Sequence, residues 1–243
     1  MNDLPNISLL MPIYNRSKFK RLIISNLLRL NYDLNKLEFV VDDDSDTDPL
    51  FKTKEEENEF KVIIAPIKLS YFRNKKKRQI GEKRNFLTKN AKYDICANID
   101  SDDLYLSDYL IHSLEVMRKN KYGLVGSPQM LFVFPNDNFL ITGIECPTKR
   151  MNHEATFMYT KKYWKAMGGY TNKSSQGEGT SMIDGMSDKL VGKTNIQNIM
   201  ICVCWNNEWG GNTINKDRFK DSTIVEAKLD PFDKQMISEI LNS

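Results

Sequence analysis

Ile95-Cys96-Ala97-Asn98-Ile99-Asp100-Ser101-Asp102-Asp103 sets a short apolar run directly against a cluster of carboxylates. Asp94 to Ile99 has the length and composition of a buried strand. A strand end fixes the backbone, so Asp100, Asp102 and Asp103 are expected to project into one crevice. The pattern recurs upstream. Ile7 to Ile13 is apolar and ends in Tyr14-Asn15-Arg16, and Leu37 to Val41 halts at Asp42-Asp43-Asp44-Ser45-Asp46. Lys61 to Ile67, behind the acidic segment Glu55-Glu56-Glu57, predicts a third strand and makes 94–99 the fourth.

Helical periodicity fills the gaps. Ser17 is placed to cap a helix with Phe19, Leu22, Ile23, Leu27 and Leu30 inward, and Ser107 one with Leu110, Ile111, Leu114 and Met117 inward. A basic stretch, Arg73 to Arg78, leads into a third helix over roughly Glu82 to Ala91. Alternating strands and helices imply an α/β fold with a mostly parallel central sheet flanked by helices on both faces. Ligands bind such sheets outside the carboxyl ends of the strands. Three of those ends carry polar clusters here.

Beyond residue 120 the pattern is less regular. Strands are expected at Gly123 to Val133, Phe139 to Ile144, Ala155 to Thr160 and Ile199 to Trp205. Helices are expected at Lys161 to Met167, stopped by Gly168-Gly169, and after Asp230-Pro231. The polar, glycine-rich Thr171 to Asp188 reads as a mobile site loop. With 243 residues, 40% of them hydrophobic, one domain is the simplest expectation. A net charge of +3 dictates no nucleic-acid partner, and Arg73 to Arg78 lacks the aromatic interleaving of a nucleic-acid surface. Cys96, Cys146, Cys202 and Cys204 form no CxxC pair, so a structural zinc site is not indicated. The absence of a signal-peptide pattern and of an 18-residue apolar stretch leads to an expectation of a cytoplasmic chain without a membrane span.

Several carboxylates held together repel one another unless a cation intervenes. Mg²⁺ or Mn²⁺ suits such oxygen ligands, with a substrate's phosphates completing the shell. A solvated loop whose aspartates cap the next helix would read the same.

The segments taken together resemble the family-2-like glycosyltransferases of GT-A fold. Ile7 to Arg16 looks like the family's opening strand; Val40-Val41-Asp42-Asp43-Asp44-Ser45 is similar to its second, with Asp44 where the family's D-D-G-S has glycine. Gly81-Glu82-Lys83-Arg84-Asn85 resembles its Arg-Asn helix, and Asp100-Ser101-Asp102-Asp103 its D-x-D-D metal motif. The likeness covers about residues 7 to 105 and continues faintly through Phe157-Met158-Tyr159 and Gly168-Gly169-Tyr170. It implies an inverting enzyme that moves a sugar from a nucleotide-sugar donor, a UDP-sugar first of all, to a glycan, protein or small-molecule hydroxyl, with Mn²⁺ or Mg²⁺. By that resemblance about residues 1–105 form the nucleotide-sugar-binding half and about 106–243 the acceptor-binding half, and Pro12, Tyr14, Arg16, Asp43, Arg84, Asp100 and Asp102 bind the donor. Tyr14 would stack on the base, Asp43 accept its imide N–H, and Arg84 pair with the pyrophosphate. Asp103, with Asp102, would meet the metal.

The family takes its catalytic base from an acidic pair after a G-G-[YF] segment. Glu178 in Gly177-Glu178-Gly179 is that candidate, Gly179 standing where a second acid would be, with Asp184 in reserve. Relatives place a histidine near the C-terminal part; here Asn207 or Glu208 would substitute, and Trp205 with Trp209 could wall a sugar site. Other classes remain open. An aspartyl phosphatase would carry its D-x-D on the first strand, and a nucleotidyltransferase needs glycines that Pro12 to Arg16 lacks. A nucleotide-sugar or glycan binder without turnover shares every motif.

Overall fold

In the computed structural model, which describes residues 4–145, 152–173, 177–184, 191–205, 222–225 and 229–243, the first strand lies inside the main sheet. β1 (Ile7–Ile13) pairs in parallel with β2 (Leu37–Asp43) from Ile7↔Leu37 to Ile13↔Asp43, and on its other edge with β4 (Ile95–Asn98). β3 (Lys68–Arg73) extends the sheet beyond β2, again in parallel. β9 (Met158–Thr160), β6 (Leu124–Gly126) and β10 (Val191–Lys193) complete a seven-stranded order β10-β6-β9-β4-β1-β2-β3, with β9 antiparallel to both neighbours. A second sheet has the order β12-β8-β7-β11-β5, from β5 (Leu104–Tyr105), β7 (Gln129–Phe134), β8 (Leu140–Glu145), β11 (Met200–Val203) and β12 (Thr223–Ile224). The α/β expectation with a largely parallel sheet therefore holds.

β1 reads as a continuous apolar run because both faces are covered: Ile7, Leu9, Leu10 and Met11 are fully buried. Helix α1 (Lys20–Leu28) packs Leu22, Ile23 and Leu27 inward behind Phe19, as its spacing predicts. Burying each such side chain contributes roughly 1.5–3 kcal/mol. The remaining helices are α2 (Lys54–Ile63), α3 (Ile80–Asn90), α4 (Tyr109–Asn120), α5 (Lys161–Met167), α6 (Thr180–Ile183) and α7 (Pro231–Asn242). Among the described residues no helix is long and apolar enough to cross a membrane.

Four local expectations need correction. Lys61 to Ile67 is not a strand. Thr53 caps α2 by accepting from the Glu56 N–H at 3.2 Å, and Glu55, Glu56 and Glu57 sit in its first turn, where acids favour the helix dipole. The third strand comes later, at Lys68–Arg73. Ser17 does not cap α1: a 3-10 turn precedes the helix, and Ser17 gives its N–H (3.1 Å) and hydroxyl (2.6 Å) to Asp48. Asp108, not Ser107, precedes α4, without a side-chain cap, and Ile111 is only half-buried. The described part of 171–188 is not all loop: residues 171–173 are exposed, but Thr180–Ile183 forms α6, whose Met182 and Ile183 are buried in a cluster with Leu87, Phe157 and Tyr170.

Candidate active site

The inner face of α3 explains how the site is built. Gly81, Lys83, Arg84, Leu87 and Thr88 are its buried residues, so the helix turns a cationic patch, not an oily stripe, toward the strand tips. Gly81 permits the approach. A Cβ there would run into the Thr171 carbonyl oxygen and lie 3.2 Å from Glu178 Cβ. Arg84, 3% exposed, reaches two acids: Nε lies 2.9 Å from Glu178 Oε1 and Nη2 lies 3.1 Å from Asp100 Oδ1. Burial opposes its charge, but Asp100 and Glu178 outweigh that and hold its pKa well above the ordinary value. Among the described residues its Nη1 is buried with no hydrogen-bond partner.

Lys83, one residue earlier, ion-pairs with Asp44 and also donates to the Ile13 carbonyl. Burial lowers its pKa, opposed by Asp44. Asp42 takes the Arg78 guanidinium and, at 2.6 Å, the Asn74 amide. Asp43 accepts from Ser45 N–H (2.9 Å), Leu50 N–H (2.7 Å) and the Tyr71 hydroxyl (2.7 Å). β2 thus continues two residues past Val41 because its terminal carboxylates are matched by the protein. The loop after β1 is zipped to the one after β2. Asn15, at φ 52°, donates its backbone N–H to Ser45 Oγ at 2.7 Å and accepts from Asp48 N–H at 3.1 Å. Tyr14 gives its hydroxyl to Asp46 at 3.0 Å while Lys77 Nζ lies 3.8 Å from its ring centroid. Pro12 is half-buried opposite Asp42.

At the β4 tip the balance reverses. Asp102 has Arg16 Nε at 3.5 Å and accepts from Trp205 Nε1 at 3.2 Å. Asp103, 4% exposed, accepts from the Val203 N–H at 3.2 Å. Burial pushes both carboxyls up. For Asp103 the next causes are Asp102 and Asp100; for Asp102, Arg16 relieves it and Asp100 adds to it. Tyr105 braces the turn, accepting the Asp100 N–H at 2.9 Å and donating to the Ala155 carbonyl at 2.9 Å. Trp205 is no sugar wall. It is 4% exposed, packs on Phe19 at 4.8 Å between ring centroids, and carries Lys18 Nζ at 4.3 Å and the Arg16 guanidinium at 4.9 Å.

Arg84, Asp100 and Glu178 therefore meet, as do Arg16 and Asp102. Asp184 is exposed at the end of α6. Cys146, Asn207, Glu208 and Trp209 lie outside the described residues. His153 is half-buried, its pKa pushed down to about 4 by burial, and His112 accepts the Asn195 N–H at 3.1 Å. Among the described residues no three His, Cys, Asp or Glu side chains group to hold a metal by themselves. Lys83 and Arg78 were missed as site-builders. Adjacency to Arg84 was a usable signal for Lys83; none existed for the long-range pairing of Arg78.

A mostly parallel sheet with acidic strand tips and a cationic helix facing them is the GT-A architecture, and solved structures of that class superimpose on the chain. A mannosyltransferase, PcManGT from Pyrobaculum calidifontis, in complex with GDP-Man and Mn²⁺, matches with TM-score 0.64 and 17% identity over 98% of this chain and 69% of its own. S. aureus TarS 1–349 with UDP matches with TM-score 0.63 and 16% identity over 98% and 71%. With UDP-GlcNAc it gives TM-score 0.61 and 15% identity over 98% and 72%. No curated protein sequence matches. Residues 8–173 match the profile of glycosyl transferase family 2, and the chain belongs to that family.

Proposed function

We propose that this protein moves a sugar from a UDP-sugar to a hydroxyl of a glycan, protein or small-molecule acceptor, with inversion and with Mn²⁺ or Mg²⁺. The observation that carries the reading is the buried Arg84 guanidinium held between Asp100 and Glu178, with Nη1 unpartnered among the described residues. A guanidinium so placed matches a phosphate oxygen. Arg16 and Lys18, at the β1 tip beside Asp102, add positive charge for the diphosphate. Asp43 has about one of its roughly four lone-pair sites left for an imide N–H, Tyr14 would stack on the base, and Pro12 belongs to the same donor-binding set.

Asp102 and Asp103 would hold the metal. They fit it on their chemistry: two neighbouring carboxyls driven up by burial, Asp103 further by Asp102 and Asp100, suit a hard cation completed by phosphates. When bound, such an ion supplies charge that stabilises the departing diphosphate. Glu178 takes the proton of the acceptor hydroxyl as its oxygen bonds to the anomeric carbon and the bond to the diphosphate breaks. Asp184 is the reserve for that role. The GDP-Man, Mn²⁺, UDP and UDP-GlcNAc in the similar structures support a nucleotide-sugar donor.

The test is thermal denaturation with Mn²⁺ and UDP or GDP, followed by hydrolysis of UDP-GlcNAc, UDP-glucose and GDP-mannose by wild type and Glu178→Gln. UDP with Mn²⁺ should raise Tm, as any ligand of the native state must. Glu178→Gln should keep that rise and lose about 10²–10⁴-fold in rate. No stabilisation by either nucleotide overturns the proposal. Stabilisation without turnover in either protein favours a nucleotide-sugar binder.

A further inference from the structure

Gly179 is the chain's departure from the acidic pair that its family uses, and the geometry shows what occupies the space. A Cβ at position 179 would collide with Glu154 Cγ and lie 2.9 Å from Phe157 Cε2 and 3.0 Å from Glu154 Oε1. Glu154 begins the 3-10 turn Glu154–Thr156, just before β9, and its Oε1 accepts the Gly179 N–H at 3.1 Å. Its backbone is tied down as well, since the Glu154 carbonyl accepts from the Asn98 amide at 2.6 Å. The acidic side chain of an element 25 residues upstream thus fills the volume a side chain at 179 would take.

We propose that Glu154 is the second acidic group of this site, delivered from the turn before β9 in place of residue 179 and paired with Glu178. The inference rests on the glycosyltransferase reading for its chemistry, but not for its geometry. Glu178 meets the Arg84 guanidinium at Nε and Asp100 meets it at Nη2, so two of its three nitrogens are engaged by other acids. Glu154 is left facing Glu178 with weaker relief. Burial raises its pKa, Glu178 raises it further, and Arg84 and the Gly179 N–H pull the other way. His153, the other titratable neighbour, is neutral above its depressed pKa of about 4. Glu154 keeps its proton above the ordinary glutamate range. With Oε1 accepting the Gly179 N–H, Oε2 is the oxygen left to carry that proton. Glu154 is a positioning residue for Glu178.

Two measurements on the full chain test this without any nucleotide. In the first, Tm is followed against pH for wild type and Glu154→Gln. A raised native pKa gives stability that is complete below the unfolded glutamate value and lost as pH climbs through the native one. Gln keeps the shape and the acceptor but has no proton to lose. The two curves should coincide near about pH 4.3, the unperturbed glutamate value, and separate above it with Glu154→Gln the more stable. Parallel curves, or a variant less stable at neutral pH, overturn the proposal. The second is a double-mutant cycle. Gly179→Ala should lower Tm sharply in wild type and much less in Glu154→Ala, which lacks the colliding Cγ. Equal losses in both backgrounds overturn it, and the first arm stands should Gly179→Ala fail to fold. In donor hydrolysis, Glu154→Gln should remove the upper ionisation from the pH–rate profile. Failure of nucleotide binding would sink the enzyme reading and leave both stability results intact.

Discussion

The tips of β2 and β4 each end in three carboxylates, and they solve the same electrostatic problem in opposite ways. At β2 every acid has its partner within the chain: Asp42 has Arg78, Asp44 has Lys83, and Asp43 has two backbone N–H groups and a phenol. Burial raises the Asp42 pKa, but the charges nearest it, Lys83 and Arg78, work to lower it. At β4 the neighbours of Asp103 are Asp102 and Asp100, and they push its carboxyl the same way that burial does. One tip is electrostatically closed. At the other, Arg84 meets Asp100 and Arg16 meets Asp102, yet both aspartates still push the Asp103 carboxyl up, and that is where a cation and a diphosphate have something to gain. Two runs of aspartate that look alike in sequence thus do different work, because Lys83 and Arg78 close the acids of one tip while at the other the acids also act on one another.

The largest break in this comparison is expected from Lys83→Met. It leaves Asp44, whose side chain is 1% exposed, buried without its cation. Removing one member of a buried pair costs about 3–5 kcal/mol, to be read as a lower urea midpoint at unchanged slope. Replacing both partners, in Lys83→Met with Asp44→Leu, should recover most of the loss. A single variant as stable as wild type would show that the β2 tip is not closed by this pair.

Asp43→Asn tests the same tip more gently. An amide nitrogen cannot accept, so at least one of Ser45 N–H, Leu50 N–H and the Tyr71 hydroxyl loses its acceptor. An unsatisfied buried donor costs about 1–3 kcal/mol, visible in thermal denaturation. Tyr71→Phe in the same background removes one of the competing donors and should narrow the deficit. If the deficit is unchanged, the tyrosine is not the group left unpaired.

The sequence made one tip more legible than the other. β1 and α5 run where their residues place them, since an apolar run covered on both faces and a Gly-Gly stop are local signals. The ordered motifs also located the tips of β1, β2 and β4. What escaped was set by long-range pairing. β2 continues through Asp42 and Asp43 only because Arg78, Asn74 and Tyr71 arrive from elsewhere. Helix α3 hides Lys83 and Arg84, residues that any amphipathic reading turns toward water. The apolar Val62-Ile63-Ile64 was taken for a strand although Thr53-x-x-Glu56 announced a helix, and Val62 and Ile63 are in fact exposed. Glu154 carried no motif at all. Its meaning depends on the missing Cβ of a glycine 25 positions away.

The smallest stability change, and the sharpest contrast, is expected from Asp103→Asn. An asparagine oxygen can still accept the Val203 N–H, so that bond survives. What is lost is a charge that burial and two neighbouring aspartates disfavour. Because the native pKa is raised, wild type surrenders stability as pH climbs above the ordinary aspartate value, and the variant does not. Asp103→Asn should therefore match wild type in acid and be more stable at neutral pH, by about 0.5–2 kcal/mol, the usual reach of a single stabilising substitution. Adding Mn²⁺ and UDP should reverse the order, since wild type gains the binding free energy of a ligand that needs the charge. The same substitution then strengthens the empty protein and weakens the loaded one, an outcome that no purely structural aspartate would produce. If Asp103→Asn is the less stable protein both without and with Mn²⁺ and UDP, the β4 tip is as closed as its neighbour and the cation belongs elsewhere.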